Sequence, residues 1–149
     1  MLRFECEWTG QLGPPHSGFD LGHMTFTTDE WTCTSKGRKP DQAMMIVLAM
    51  VGLLDGVRIL LTSSETEHRF IGVDSSFSVW FRKSSQGKLS LTCGATSLGQ
   101  VESKALCQAL LSGVDEFLSR PESALPEGDA ARGDLTAALN EFRQAFPKR

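Results

Sequence analysis

The residues best able to do chemistry are few and scattered. Asp74, Ser75 and Ser76 lie just beyond His68. Such a set can in principle supply an orienting carboxylate, a nucleophile and a base. The same residues make a tight turn, because Asp and Ser side chains bond their own backbone there. A serine triad usually gathers from distant segments, so a turn is the expectation. The other histidines, His16 and His23, have no neighbours that suggest paired ligation. The four cysteines are Cys6, Cys33, Cys93 and Cys107, and none forms a CxxC pair of the kind that announces zinc. Each falls on an apolar position of its local pattern, so buried free thiols in a reducing compartment are expected.

The chain contains no GxxxxGK(S/T) or GxGxxG phosphate loop, no HExxH, no EF-hand loop and no GxSxG elbow. No catalytic, cofactor-binding or metal-ligating residue is assigned, no cofactor is expected, and the reading leans away from an enzyme. What remains is surface. One basic loop tip carries Lys36, Arg38 and Lys39, and another carries Arg82, Lys83 and Lys88. They could meet an acidic partner or simply form solvated turns that deter edge pairing. Thr25, Thr27, Thr32, Thr34, Ser78, Trp80, Arg82, Lys88, Ser90 and Thr92 share the outward side of the alternating strands. A Thr-rich solvated face is ordinary; a Trp on it is less so. Trp80 is either covered by the C-terminal helix or exposed beside Arg82, and Trp and Arg are the residues most enriched in binding hot spots.

Positioning these residues calls for an α+β fold. Leu2, Phe4, Cys6 and Trp8 alternate with Arg3, Glu5 and Glu7, which gives a half-buried strand. Gln11 to Gly18, with Pro14 and Pro15, reads as a loop. Gly22 to Thr27 and a short stretch around Trp31 and Cys33 give further strands. After the basic loop, Asp41 is placed as the cap of a nearly all-apolar helix with Gly56 at its end. Val57 to Thr62 and Glu67 to Val73 read as strands. Phe77 to Arg82 and Leu89 to Cys93 flank the turn Ser85-Gln86-Gly87 as a hairpin. From Gly99 apolar residues recur every four positions, with Ser97 and Gln100 as a capping box and Pro121 as the stop. Residues 121–133 read as a linker, and 134–149 as a last helix capped by Asp134 that packs on the same domain. The order β-β-(β)-α-β-β-β-β-α-α predicts a mainly antiparallel sheet of about five to seven strands, packed on one face by two or three helices. Residues 1–120 form a single domain on this reading.

The chain has 149 residues, a hydrophobic share of 40% and a formal net charge of -3. This suits one globular domain and gives no counterion-release advantage on nucleic acid. The apolar run Ala43 to Leu54 is well short of the roughly 20 residues that span a bilayer. The N-terminus carries Glu5 and Glu7 where a secretory signal needs an apolar core. A cytoplasmic protein with neither nucleic acid nor membrane as partner is expected. In size and architecture the chain is similar to small bacterial immunity proteins, which neutralise a toxin by covering its active site. That resemblance implies a non-enzymatic protein-binding module whose partner is a toxin or effector. Secretion chaperones are also small and acidic, but this chain opens with a strand. A pocket between sheet and helices, suggested by the Met-rich helix, would instead take a small ligand or substrate. Strand edges or Trp80 would allow a homodimer.

Overall fold

The computed structural model describes residues 1–10 and 16–147, so the greater part of the expected Gln11 to Gly18 loop, with Pro14 and Pro15, lies outside the described residues. Strands β1 (Arg3–Trp8), β2 (Leu21–Thr27), β3 (Thr32–Thr34) and the two-residue β4 (Met44–Met45) form a first antiparallel sheet, ordered β1-β2-β3 with β4 also on β2. Helix α1 (Ile46–Thr62) follows. Strands β5 (Glu67–Ile71), β6 (Ser78–Lys83), β7 (Lys88–Cys93) and β8 (Thr96–Glu102) form a second antiparallel sheet in chain order. Helix α2 (Ser103–Ser119), a short 3-10 turn (Pro121–Ser123) and α3 (Ala130–Ala145) complete the chain. The α+β class is as expected and the element order roughly so, with eight strands divided between two sheets.

Alternation gives each sheet a single apolar face. Phe4 and Cys6 pair with Phe26 and Met24 in the first sheet. Phe81 pairs with Leu91 in the second. All of these are buried, so each sheet has one apolar face, and the two faces share a core. Phe26 reaches Phe81 across it, with ring centroids 6.3 Å apart. Cys33 of β3 and Cys93 of β7 form a disulfide, Cα atoms 6.1 Å apart. This corrects the expectation of four free thiols: two inward positions, distant in sequence, meet where the sheets face each other. Cys6 and Cys107 are free and buried. Burial pushes the Cys107 thiol up to about 12 and raises that of Cys6 further still.

Several helix boundaries moved. Helix α1 continues through Gly56 to Thr62, so Val57 to Thr62 is not a strand. Continuing the helix buries Val57 and Leu60. Gly56 serves packing instead of termination: a Cβ there would collide with the His68 ring. Asp41 does not cap α1, whose first turn is preceded by Met45; its carboxylate accepts from the Ala43 amide at 2.9 Å. Ser97 and Gln100 belong to β8, and α2 begins only at Ser103.

Helix α1 lies between the sheets and α3. Its Met50, Leu53 and Leu54 are fully buried. Arg58 reaches Glu141 of α3 at 3.1 Å and sits 3.6 Å from Asp55, within ion-pair reach although Asp55 Oδ1 has no hydrogen bond. Helix α2 crosses β1 so closely that a Cβ on Gly113 would strike the Phe4 carbonyl. Residues 121–133 are tied to Trp8 of β1 and to Gly18 ahead of β2. Trp8 Nε1 donates to Ser123 at 3.0 Å, and Gly18 donates to Asp129 at 2.8 Å. Asp129, rather than Asp134, caps α3. His16 stacks on Trp8 at 3.9 Å and meets Asp20 at 3.0 Å. Burial alone would raise the Asp20 carboxyl, but bonds from Ser17 and His16 together hold it below its ordinary value.

The disulfide closes a sequence separation of 60 residues. The Cys33→Ala/Cys93→Ala variant is expected to lose about 4 kcal/mol, a fall in Tm of roughly 10 °C. Thermal melts with and without reductant check this; a melt indifferent to both would show that the bond does not form. Burial against α1 lowers the pKa of His68. The unfolded chain therefore takes up this proton first, and stability falls as pH drops from about 6.5 toward the lowered folded value, then levels off. His68→Gln is expected to remove that part of the acid-side loss in urea titrations repeated across pH 5 to 8.

Candidate functional site

The outward face of the second sheet is built by the same period-two rule that fills the core. Glu67, Arg69 and Ile71 of β5 point away from α1, whereas His68 and Phe70 point toward the core. On β6 the outward residues are Ser78, Trp80 and Arg82; on β7 they are Lys88, Ser90 and Thr92. Except for Ser78, all of them are exposed or half-buried. Trp80 sits in register with Arg69 on one side and Thr92 on the other.

Helix α3 packs on α1, and arginines rather than a helix lie against the Trp80 ring. The Arg82 guanidinium is 4.5 Å from the ring centroid and that of Arg69 is 5.7 Å away. Arg82 in turn donates to Glu67 across the strand pair at 3.0 Å. The ring is thus held partly buried, with its exposed part at the centre of the face. Cation–π contacts of this kind contribute about 0.5–1 kcal/mol at exposed sites. They also restrict the rotamers of three long side chains before any partner arrives.

The other surface residues singled out by sequence divide between the sheets. Lys83 donates to the Ser63 carbonyl at 2.8 Å, and Lys88 is exposed on the Trp80 face. Lys36 pairs with Glu7 of the first sheet at 3.1 Å, Arg38 donates to the Thr34 carbonyl at 3.1 Å, and Lys39 is exposed. The threonine face also divides: Thr25 and Thr34 bond each other at 2.8 Å on the first sheet, apart from Trp80 on the second.

Asp74, Ser75 and Ser76 form a turn. Asp74 adopts φ 59°, a left-handed conformation that Asp tolerates. Ser75 donates to the Gln42 carbonyl at 2.8 Å and accepts from the Phe77 amide at 3.1 Å. His68 packs elsewhere, against Gly56. Met24, Met44 and Met50 are fully buried in the core. A small cleft of about 200 Å³ is bounded by Gly56, Ile59 and Leu60 of α1 and by the chain from Glu65 through Glu67 to His68. Among the described residues no three His, Cys, Asp or Glu side chains gather as metal ligands, and no helix is long and apolar enough to cross a membrane.

Sequence reasoning missed Arg69 and Glu67 as partners of the Trp80 face. Their alternation in β5 was readable, but the register that sets them beside β6 was not. It also missed a cleft of about 440 Å³ between β8 and the β2–β3 turn, whose wall carries Trp31. Trp31 precedes β3 instead of joining it. Thr28 and Trp31 close the turn through their main chains at 2.8 Å, leaving the indole 52% exposed. Comparison with protein-family models, with curated proteins and with solved structures finds no match to this chain.

Proposed function

We propose that this chain is a non-enzymatic protein-binding module that docks its partner on the open face of the second sheet. The observation that carries the reading is Trp80, half-buried at the centre of that face and flanked by two guanidiniums. An aromatic ring already held by its neighbours loses little rotamer freedom on docking. Trp and Arg are also the residue types that dominate interface energetics. The centre of the face is positive, which favours a partner surface carrying carboxylates.

The kind of partner proposed is a toxin or effector whose activity is blocked by coverage, as bacterial immunity proteins do. A chaperone-like role in secretion is the nearest alternative and would use the same face without inhibiting anything. A cytoplasmic setting belongs to the same proposal. The Cys33–Cys93 disulfide weighs against it, because such bonds persist in oxidising compartments. The docking reading holds in either setting.

Affinity capture from the source cells tests the proposal, using wild type, Trp80→Ala and a Thr25→Ala control on the first sheet. Wild type and the control are expected to retain one protein that Trp80→Ala loses by roughly thirtyfold, the measure of a hot spot of about 2 kcal/mol. The retained protein's own activity should fall when wild type is added. Capture that is the same for all three chains, or nil for all three, overturns the reading.

A further inference from the structure

Strand β8 ends the second sheet, and beyond its Leu98 to Glu102 stretch lies the 440 Å³ cleft faced by the β2–β3 turn. The hydrogen-bond alternation shows which way its main chain points. Lys88 of β7 bonds Ser84 and Ser85 on the β6 side through its carbonyl and amide. Residues of an antiparallel strand bond alternately to either neighbour. Leu89 and Leu91 therefore bond toward β8, where they pair with Val101 and Gly99. The amide and carbonyl of Gln100 and the amide of Glu102 then point outward, into the cleft, and among the described residues no further strand pairs with this edge; the Glu102 carbonyl is taken by the first turn of α2, which Glu102 precedes. A free strand edge of this kind is a template for another strand.

The walls of the cleft are selective. Its charged side chains are Asp29, Glu30 and Glu102, with no Lys, Arg or His among the residues that line it. Asp29 holds the amino group of Met1 at 3.0 Å in an almost wholly solvated pair, the kind of contact worth little and easily exchanged. The exposed Trp31 indole offers an apolar and π surface on which the stem and head of a Lys or Arg can lie.

We infer that β8 accepts an extended basic segment of a partner protein as a fifth strand of the second sheet. Main-chain bonds to both groups of Gln100 and to the Glu102 amide hold it, and Asp29, Glu30 and Trp31 select Lys or Arg at alternate positions. A second copy of this chain is disfavoured as occupant, because pairing two β8 edges brings like-charged walls together. This site is separate from the Trp80 face and stands whether or not that reading holds.

The probes are the capped peptide Lys-Val-Lys-Val-Lys-Val-Lys and its glutamate counterpart, titrated by calorimetry and by amide NMR on the full chain. The lysine peptide is expected to bind and to shift the Gln100, Glu102 and Trp31 signals, and the glutamate peptide to do neither. Gln100→Pro removes the outward N–H while leaving the ladder to β7, a replacement that edge strands tolerate. Glu102→Gln and Trp31→Ala probe charge and stacking without touching the backbone. Each is expected to weaken binding about tenfold, while Trp80→Ala leaves it unchanged. The inference is overturned if the lysine peptide does not bind at millimolar concentration, if both peptides bind alike, or if the three cleft variants bind as wild type does. Sedimentation showing a dimer that the same variants dissociate would assign the edge to a second copy and overturn it as well.

Discussion

The two sheets depend on one shared core. Each is apolar on a single face, and neither face leaves water unless the other sheet and α1 close over it. Phe26 and Phe81 meet from opposite sides, while Met44, Ile46, Met50 and Leu53 fill the space from α1 and the strand before it. Full burial of side chains this size contributes about 1.5–3 kcal/mol apiece. The closure, and not either sheet alone, therefore accounts for the stability of the fold. The Cys33–Cys93 bond fastens the same closure covalently. Helix α3 then covers the remaining side of α1, held by Asp129 at its start and by Arg58 and Glu141 at its middle.

Once the inner faces are committed, the outer faces have no freedom left. A strand that turns Phe70, Val79 and Leu91 inward must turn Arg69, Trp80 and Thr92 outward. The surface with Trp80 at its centre is thus the reverse side of the core. Its rigidity comes from that core, and its local order from the Glu67–Arg82 pair and the guanidiniums against the ring. The cleft beside β8 has a different origin. The sheets approach near Cys33 and Cys93 and leave a gap at Leu98 to Glu102, where an edge strand keeps its outward hydrogen-bonding groups.

Much of this was legible residue by residue. The alternation in β1, β2, β6 and β7 identifies their inward sets, and the stripe Leu135, Ala138, Leu139 and Phe142 identifies α3. The misreadings share a cause. Gly56 looks like a helix stop on propensity, yet packing against His68 makes a glycine the residue that fits mid-helix. Strand β8 escapes a period-two search because its register shifts opposite Leu91 and Thr92, so Leu98 and Val101 do not alternate. In both places a long-range contact overrides the local signal.

The sequence by itself determined the α+β class, most of the element order and which side of the clearly alternating strands faces the core, because those follow from periods of two and of about four along the chain. Only the tertiary structure decided that there are two sheets, that Cys33 meets Cys93, that Arg69 stands beside Trp80, and that an acidic cleft with an exposed Trp31 opens beside β8. These are pairings between residues far apart in sequence. Alternation says that a side chain points inward or outward; it does not say what waits there, since register and packing are set by how the whole chain closes.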